Sequence, residues 1–340
     1  MKVLVATHSY SGNGAAVMLL AIIEHWVKDL GWTVDVLLDL DAEVPDELVQ
    51  TGACVFNTAD PRSYDFALVN TLISGHYVDQ LAPHVRTVFW VHEGDTVLLG
   101  SSATPAKWRS LFQQPWKNVF QTRWQSESVF ATFLLRVPPE RIACVRNGLP
   151  ALPTNLVPAA NPSGKKRIVF LGGVYGRKRP QDLVDAVIAL GRNDVECIFV
   201  GPTEQIETIG HDHVEKIRAR PDLFKLAGQL GRTDGLAVLA SADIFCLPSG
   251  DESQPIAPLE AATLGVPCVL TDLAPYAAIW RHGENCLMQP VGDSALLRWN
   301  LEALLGDTTI RARLVDNAKA LAGRFSIGAF QQHFTAEMPV

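Results

Sequence analysis

No two cysteines of this chain lie close together in sequence; the six stand at 54, 144, 197, 246, 268 and 286. That scatter argues against a disulfide framework and against a zinc site built on neighbouring thiols. Cys197, Cys246 and Cys268 fall inside apolar, strand-like runs, where a thiol behaves as a small hydrophobe. No uninterrupted apolar stretch approaches the roughly 20 residues that span a bilayer. The opening run Met1–Ala6 is too short for a signal peptide and reads as a first strand, so the expectation is a soluble, cytoplasmic protein. Positive charge is also in deficit, with 29 Lys and Arg against 36 Asp and Glu. A net charge of −7 speaks against general nucleic-acid binding, which depends on many cationic contacts to phosphates. Low-complexity tracts are missing as well.

What is present is a well-filled globular composition, 48% hydrophobic over 340 residues, enough for two ordinary domains. Short apolar runs alternate with helical stretches. Strands are expected at 2–7, 33–38, 53–57, 65–70, 86–91, 118–122 and 142–145, with an amphipathic helix at 14–30. The stretch 150–166 holds Pro150, Pro153, Pro158, Pro162 and Gly164 and reads as a linker. The pattern then restarts, with strands at 167–172, 195–200, 224–227, 243–247 and 267–271 and a helix at 180–190. This alternation predicts an α/β protein of two Rossmann-like domains, parallel sheets with helices on their faces, facing each other across a cleft. The expected boundaries are 1–150, a linker at 151–166, 167–322, and a C-terminal helix at 323–340 crossing back to the first domain. Trp108, Phe112, Trp116, Phe120 and Trp124 recur every fourth residue, but Pro115 interrupts the series and residues 118–122 suit a strand better.

Residues 243–272 carry the most chemistry. Glu252 and Glu260 flank a loop leading from one apolar strand into a helix that feeds a second strand. The space beyond the carboxyl end of such a strand is where α/β sheets bind ligands, often at a helix N-terminus. Backbone donors for an anion and carboxylates for hydroxyls therefore meet at one place, which suits a phosphorylated sugar. Spacing alone carries little: Glu196 with Glu204 and Glu207 with Glu215 are also eight residues apart. Only the third pair has the strand, loop, helix, strand context. The loop Ser11-Gly12-Asn13-Gly14-Ala15 follows the first strand, but Val17 stands where a dinucleotide fingerprint wants its third glycine. Asp39-Leu40-Asp41 has the form of a metal-binding pair yet lies among Glu43, Asp46 and Glu47, and reads as an acidic loop. Residues 105–146 hold seven Lys or Arg against two acids, interleaved with Trp108, Phe112, Trp116 and Phe130. Such a surface could touch an anionic membrane; the plainer reading puts the aromatics in the core and the cations in solvent.

The segment from Glu252 through Glu260 to Gly265-Val-Pro-Cys-Val-Leu-Thr-Asp272 resembles the donor-site signature of retaining GT-B glycosyltransferases of the family-four group. Residues 168–186, 142–148 (ending Arg146-Asn147-Gly148) and 8–16 resemble further stretches of that family in the same order. The resemblance implies a retaining hexosyltransferase using a nucleotide-sugar donor and a glycan, lipid-linked or small-molecule acceptor, with no metal or other cofactor. It implies that Glu260 accepts from the donor ribose and that Glu252 approaches the transferred sugar. Lys178 would neutralise the diphosphate where charge develops on the leaving group, beside the amides of Ile256 and Ala257. His92, at the end of an apolar strand, would contact the sugar near the reaction centre; Glu93 has no clear role. Gly14 would allow close approach of a sugar phosphate. The family commonly carries an arginine where this chain has Gly173; Arg177, or the amides of Gly172 and Gly173, would compensate. Base-reading contacts are expected around 201–203 and 228–232. An epimerase or phosphorylase on the same architecture, and a non-catalytic sugar-nucleotide-binding subunit, are the alternatives.

Overall fold

The computed structural model describes residues 1–8, 14–39, 42, 44–99 (backbone only at Leu99) and 102–340. Its contacts divide the chain into two units, Met1–Pro150 with Ser326–Val340, and Ala151–Phe325.

The first unit is built on strands β1 (Lys2–Thr7), β2 (Thr33–Leu38), β3 (Cys54–Phe56), β4 (Phe66–Asn70), β5 (Thr87–Val91), β6 (Lys117–Phe120) and β7 (Ile142–Cys144). They form one sheet in the order β3-β2-β1-β4-β5-β6-β7, every pairing parallel. Strands buried on both faces need side chains that are apolar on both faces. Val3 to Ala6, Phe66 to Val69 and Val88 to Val91 meet that need and are essentially inaccessible to solvent. The helix expected at 14–30 is α-helical over Gly14–Glu24 and continues as a π-helical turn over His25–Asp29. Within that wider turn Trp26 is fully buried, and its indole Nε1 donates to Thr335 Oγ1 at 2.9 Å. The four-residue aromatic series is split between helix Pro105–Gln113, which carries Trp108 and Phe112, and β6, which carries Phe120.

Chain end and chain start meet in this unit. Ser326 caps helix Ile327–Ala336 by accepting from the Ala329 amide. Phe334 lies 4.3 Å from Trp90, ring centroid to centroid, and Lys117 pairs with Glu337 at 2.6 Å. Gly148 makes room for the helix: a Cβ there would fall 2.8 Å from both Ile327 Cα and Phe330 Cβ.

The second unit restarts with β8 (Lys166–Leu171), β9 (Val195–Val200), β10 (Phe224–Gly228), β11 (Ile244–Leu247), β12 (Cys268–Thr271) and β13 (Leu287–Gln289). Their order is β10-β9-β8-β11-β12-β13, again all parallel. The proline-rich stretch is bound to this unit from Ala159 onward. Ala159 donates to the Ala237 carbonyl, and the buried Arg167 donates to the carbonyls of Ala159 and Ala160 and to Ser241 Oγ. Arg167 also donates to Glu196 at 2.7 Å, and Lys225 takes the other oxygen. A buried guanidinium is tolerated only when its donors are met in this way. Glu196, first member of one decoy glutamate pair, is thus a structural counter-ion.

In the stretch 105–146, Trp108, Phe112 and Phe130 are core residues. Of its cations, Lys107 pairs with Asp79, Lys117 with Glu337, and Arg141 donates to the carbonyls of Gln113, Pro115 and Trp116. Among the described residues no helix is long and apolar enough to cross a membrane.

Candidate active site

Both sheets reverse their strand order beside their first strand, between β1 and β4 and between β8 and β11. At such a point the loops leaving neighbouring strands diverge and open a crevice at the carboxyl edge. In the second unit the loop after β8 carries Gly172 to Lys178 and the loop after β11 carries Ser249 to Glu252. Residues some seventy positions apart in sequence are thereby adjacent.

Glu252 is buried there, not an exposed loop carboxylate. Lys178 Nζ donates to its Oε1, Ser249 Oγ donates to the same oxygen at 2.7 Å, and Arg177 Nη1 stands 3.9 Å from Oε2. Burial pushes the Glu252 carboxyl up, but Lys178 and Arg177 outweigh it and hold the group below its ordinary value. The turn Gly176–Lys178 ends at Arg179, which takes a left-handed backbone (φ 50°) immediately before Pro180 opens the next helix. That conformation is strained for a residue with a side chain; the bidentate pair of Arg179 with Asp182, at 2.6 and 2.9 Å, holds it. Arg177-Lys178-Arg179 is therefore not a solvated basic turn, since each cation has a named partner. Beyond the carboxyl ends of β8 and β9 the backbones nearly touch. A Cβ on Gly201 would lie 2.1 Å from the Gly172 carbonyl oxygen, and the φ values of Gly172 and Gly201 are 154° and 144°. Only glycine fits both.

Helix Ala257–Leu264 starts beside this cluster in sequence, with Ile256 at its N-cap and Pro258 in its first turn. The amides of Ile256 and Ala257 have no hydrogen-bond partner among the described residues. Glu260, one turn in, is buried and accepts from Arg232 Nη1 at 2.5 Å. Both glutamates of the pair are thus matched with cations. The Tyr276 hydroxyl is buried without a partner among the described residues, and burial and the Glu252 charge push it up.

In the first unit His92 follows β5. Its Nε2 pairs with Asn70 Oδ1 at 2.8 Å, and its Nδ1 with Gln121 Nε2 at 2.6 Å. An amide nitrogen donates and an amide oxygen accepts, so the ring is neutral with its proton on Nε2. Burial drives its pKa down from 6.5 to about 3. Gln121 also donates to Asn147, and Asn70 to Thr7, so the carboxyl ends of β1, β4, β5 and β6 and the Asn147 side chain share one polar network. Glu93 accepts from the amides of Leu72 and His92, which gives it a role in fixing the backbone. Thr71, after β4, has a φ of 71°, rare for a β-branched residue, and joins His8 and Ser74 in a second cluster. Gly14 opens its helix; Ser11 to Asn13 lie outside the described residues, as do Leu40 and Asp41 of the acidic pair. Asp39 accepts from Tyr77 Oη at 2.6 Å.

The sequence points to His92 and Glu252 by type and strand-end position, and to Lys178, Arg177 and Glu260 through the family resemblance. Asn70 and Gln121 around His92, and Ser249 and Tyr276 in the second unit, carry no comparable signal, whereas Asn147 and Arg232 lie in stretches 142–148 and 228–232 that the sequence already marks. The placing of Asn70, Gln121 and Ser249 at or just beyond strand ends is the one trace in the sequence.

Residues 165–307 match the family model of the glycosyl transferases group 1. A phosphatidyl-myo-inositol mannosyltransferase of Mycobacterium leprae is 34% identical over 163 residues, 46% of this chain and 42% of that protein. The Escherichia coli UDP-Gal:alpha-D-GlcNAc-diphosphoundecaprenol alpha-1,3-galactosyltransferase is 27% identical over 209 residues, 57% of this chain and 51% of that protein. The chain thus spans about half the length of these curated relatives. Among solved structures, Anabaena HepE in complex with UDP and glucose superposes with a TM-score of 0.82 at 18% identity, covering 99% of this chain and 98% of that one. WaaG, a glycosyltransferase involved in lipopolysaccharide biosynthesis, gives 0.72 at 14% identity, covering 99% of each. The architecture is that of the GT-B fold, and within it residues 165–307 are similar to the group 1 glycosyl transferases.

Proposed function

We propose that this chain is a retaining glycosyltransferase that moves a hexose-type sugar from a nucleotide-sugar donor to a glycan, lipid-linked or small-molecule acceptor. The observation that carries the reading is the cluster at the strand-order reversal of the second unit. There Lys178 and Arg177 converge on Glu252, while helix Ala257–Leu264 presents two unpaired amides and Glu260 one turn on. A donor diphosphate would draw Lys178, Arg177 and the Ile256 and Ala257 amides, relieving charge on the departing nucleotide. Glu252, exchanged out of its ion pair, would then face the hydroxyls of the sugar, and Glu260 those of the ribose. These groups meet the phosphates directly, and the reading assigns them no metal. His92 is neutral with both ring nitrogens engaged, so its part is a fixed contact to the sugar and not proton transfer. The acceptor would be held mainly by the first unit. The mannosyl- and galactosyltransferase relatives support a lipid-linked acceptor, and the exposed Arg109, Arg123, Arg136 and Arg146 leave room for a peripheral membrane contact.

Thermal melts with UDP, GDP, ADP and TDP test the reading, because a ligand stabilises the state it binds in proportion to the logarithm of its affinity. One diphosphate should raise the melting temperature, and Glu260→Ala should remove most of that rise. The matching nucleotide sugar should then be consumed in proportion to added acceptor, with the anomeric configuration kept in the product by NMR. Conversion of the donor without acceptor into an isomeric nucleotide sugar would identify an epimerase instead. No stabilisation by any of the four diphosphates would reject the proposal.

A further inference from the structure

Position 173 has no room for a side chain. A Cβ there would fall 2.2 Å from Tyr175 Cε1 and 2.7 Å from its Cδ1, so the tyrosine ring occupies the space beside the chain just after β8. The hydroxyl of that ring accepts a hydrogen bond from Arg177 Nη2 at 3.0 Å, and the guanidinium carbon lies 5.6 Å from the ring centroid. The other terminal nitrogen, Nη1, donates to the Asp251 carbonyl at 2.9 Å. In return the Gly250 amide donates to the Arg177 carbonyl, also at 2.9 Å. The arginine is therefore fixed at its backbone by one strand-end loop and at its tip by two acceptors. A guanidinium has five N–H groups. Only two of those of Arg177 have an acceptor among the described residues, and the side chain is 34% exposed beside the Lys178–Glu252 pair. A planar fork with unspent donors, held still next to a lysine, is suited to a phosphate.

We infer that Tyr175 is a positioning residue that holds Arg177 as the second cation of a nucleoside-diphosphate site, facing the distal phosphate together with Lys178. The inference rests on the donor site proposed above. Tyr175 touches no ligand itself; it acts by filling the space beside Gly173 and by accepting from Nη2, which aims the remaining donors. Lysine at 177 cannot replace the arrangement, because one ammonium cannot reach the tyrosine, the Asp251 carbonyl and a phosphate in one plane.

Calorimetric titration of the full chain with each of UDP, GDP, ADP and TDP, and with the corresponding monophosphates, tests this in the wild type, Tyr175→Phe and Arg177→Ala. Tyr175→Phe keeps the ring and deletes only the acceptor. The wild type should prefer one diphosphate over its monophosphate. That preference should shrink about tenfold in Arg177→Ala and several-fold in Tyr175→Phe, with monophosphate affinity unchanged in both, as expected when a charge-assisted hydrogen bond is lost. An unchanged preference in Tyr175→Phe overturns the positioning role, whatever Arg177→Ala does. Equal losses for monophosphate and diphosphate also overturn it, since they would mark a general structural defect. A wild type that binds none of the four diphosphates overturns the underlying donor site as well.

Discussion

His92 illustrates how far a single residue can be read from its type. Its place after an apolar strand marks it as a site candidate, but what it can do is set by Asn70 and Gln121, which hold both ring nitrogens. With its pKa at about 3 against an ordinary 6.5, the unfolded chain takes up a proton that the native one refuses between those values. The stability this provides is complete above the unfolded pKa and is lost as pH falls from there toward the folded one. Melting temperatures from pH 7 to pH 4.5 should therefore drop more steeply for the wild type than for His92→Gln. Parallel curves would show that the imidazole titrates normally. The glutamates tell a similar story. Glu252 and Glu260 stand out by context, whereas Ser249 is an ordinary residue and Arg232 belongs to a stretch expected to read the base; the fold sets them within 2.7 and 2.5 Å of the two glutamates.

Elements were more legible than residues' partners. Each strand expected from an apolar run forms within two residues of the expected ends, because a parallel strand buried on both faces leaves an almost continuous apolar signature. The short β13 (Leu287–Gln289) and the helix His76–Leu81 after β4 leave no sign in the sequence, because their apolar runs are too brief to show a period. The π-helical turn at His25–Asp29 was also out of reach, since a local widening leaves no mark on the spacing of apolar residues. Gly148 is the clearest case of a residue whose meaning is an element contact. Adding one methyl group would press on Ile327 Cα, backbone that cannot swing aside as a side-chain tip does. Overpacking of this kind costs about 1–3 kcal/mol. Urea unfolding of Gly148→Ala should show a loss in that range, together with faster amide exchange in helix Ile327–Ala336. Wild-type exchange in that helix would remove Gly148 from the docking contact.

At the scale of the whole molecule, the chain's last fifteen residues are grouped with its first hundred and fifty, and the middle forms a unit of its own. Trp26 and Trp90 both lie against Phe334, at 6.3 and 4.3 Å, so the terminal helix completes an aromatic core that the first unit cannot close alone. Removing residues 326–340 should lower hydrogen-exchange protection in β1, β4 and β5 while leaving β8, β9 and β11 as they were. Loss of protection in both sheets would contradict the division into two units. Taken by itself, the sequence determined that two parallel α/β sheets form and which acids, bases and glycines stand at their carboxyl ends. Apolar periodicity and strand-end position are local properties, written within a dozen residues. Only the tertiary structure decided which charges are paired and which donors remain open. Lys178 meets Glu252, and Arg177 meets Asp251, because β8 and β11 are neighbours where the strand order reverses. That adjacency joins segments more than seventy residues apart, and no local pattern specifies it.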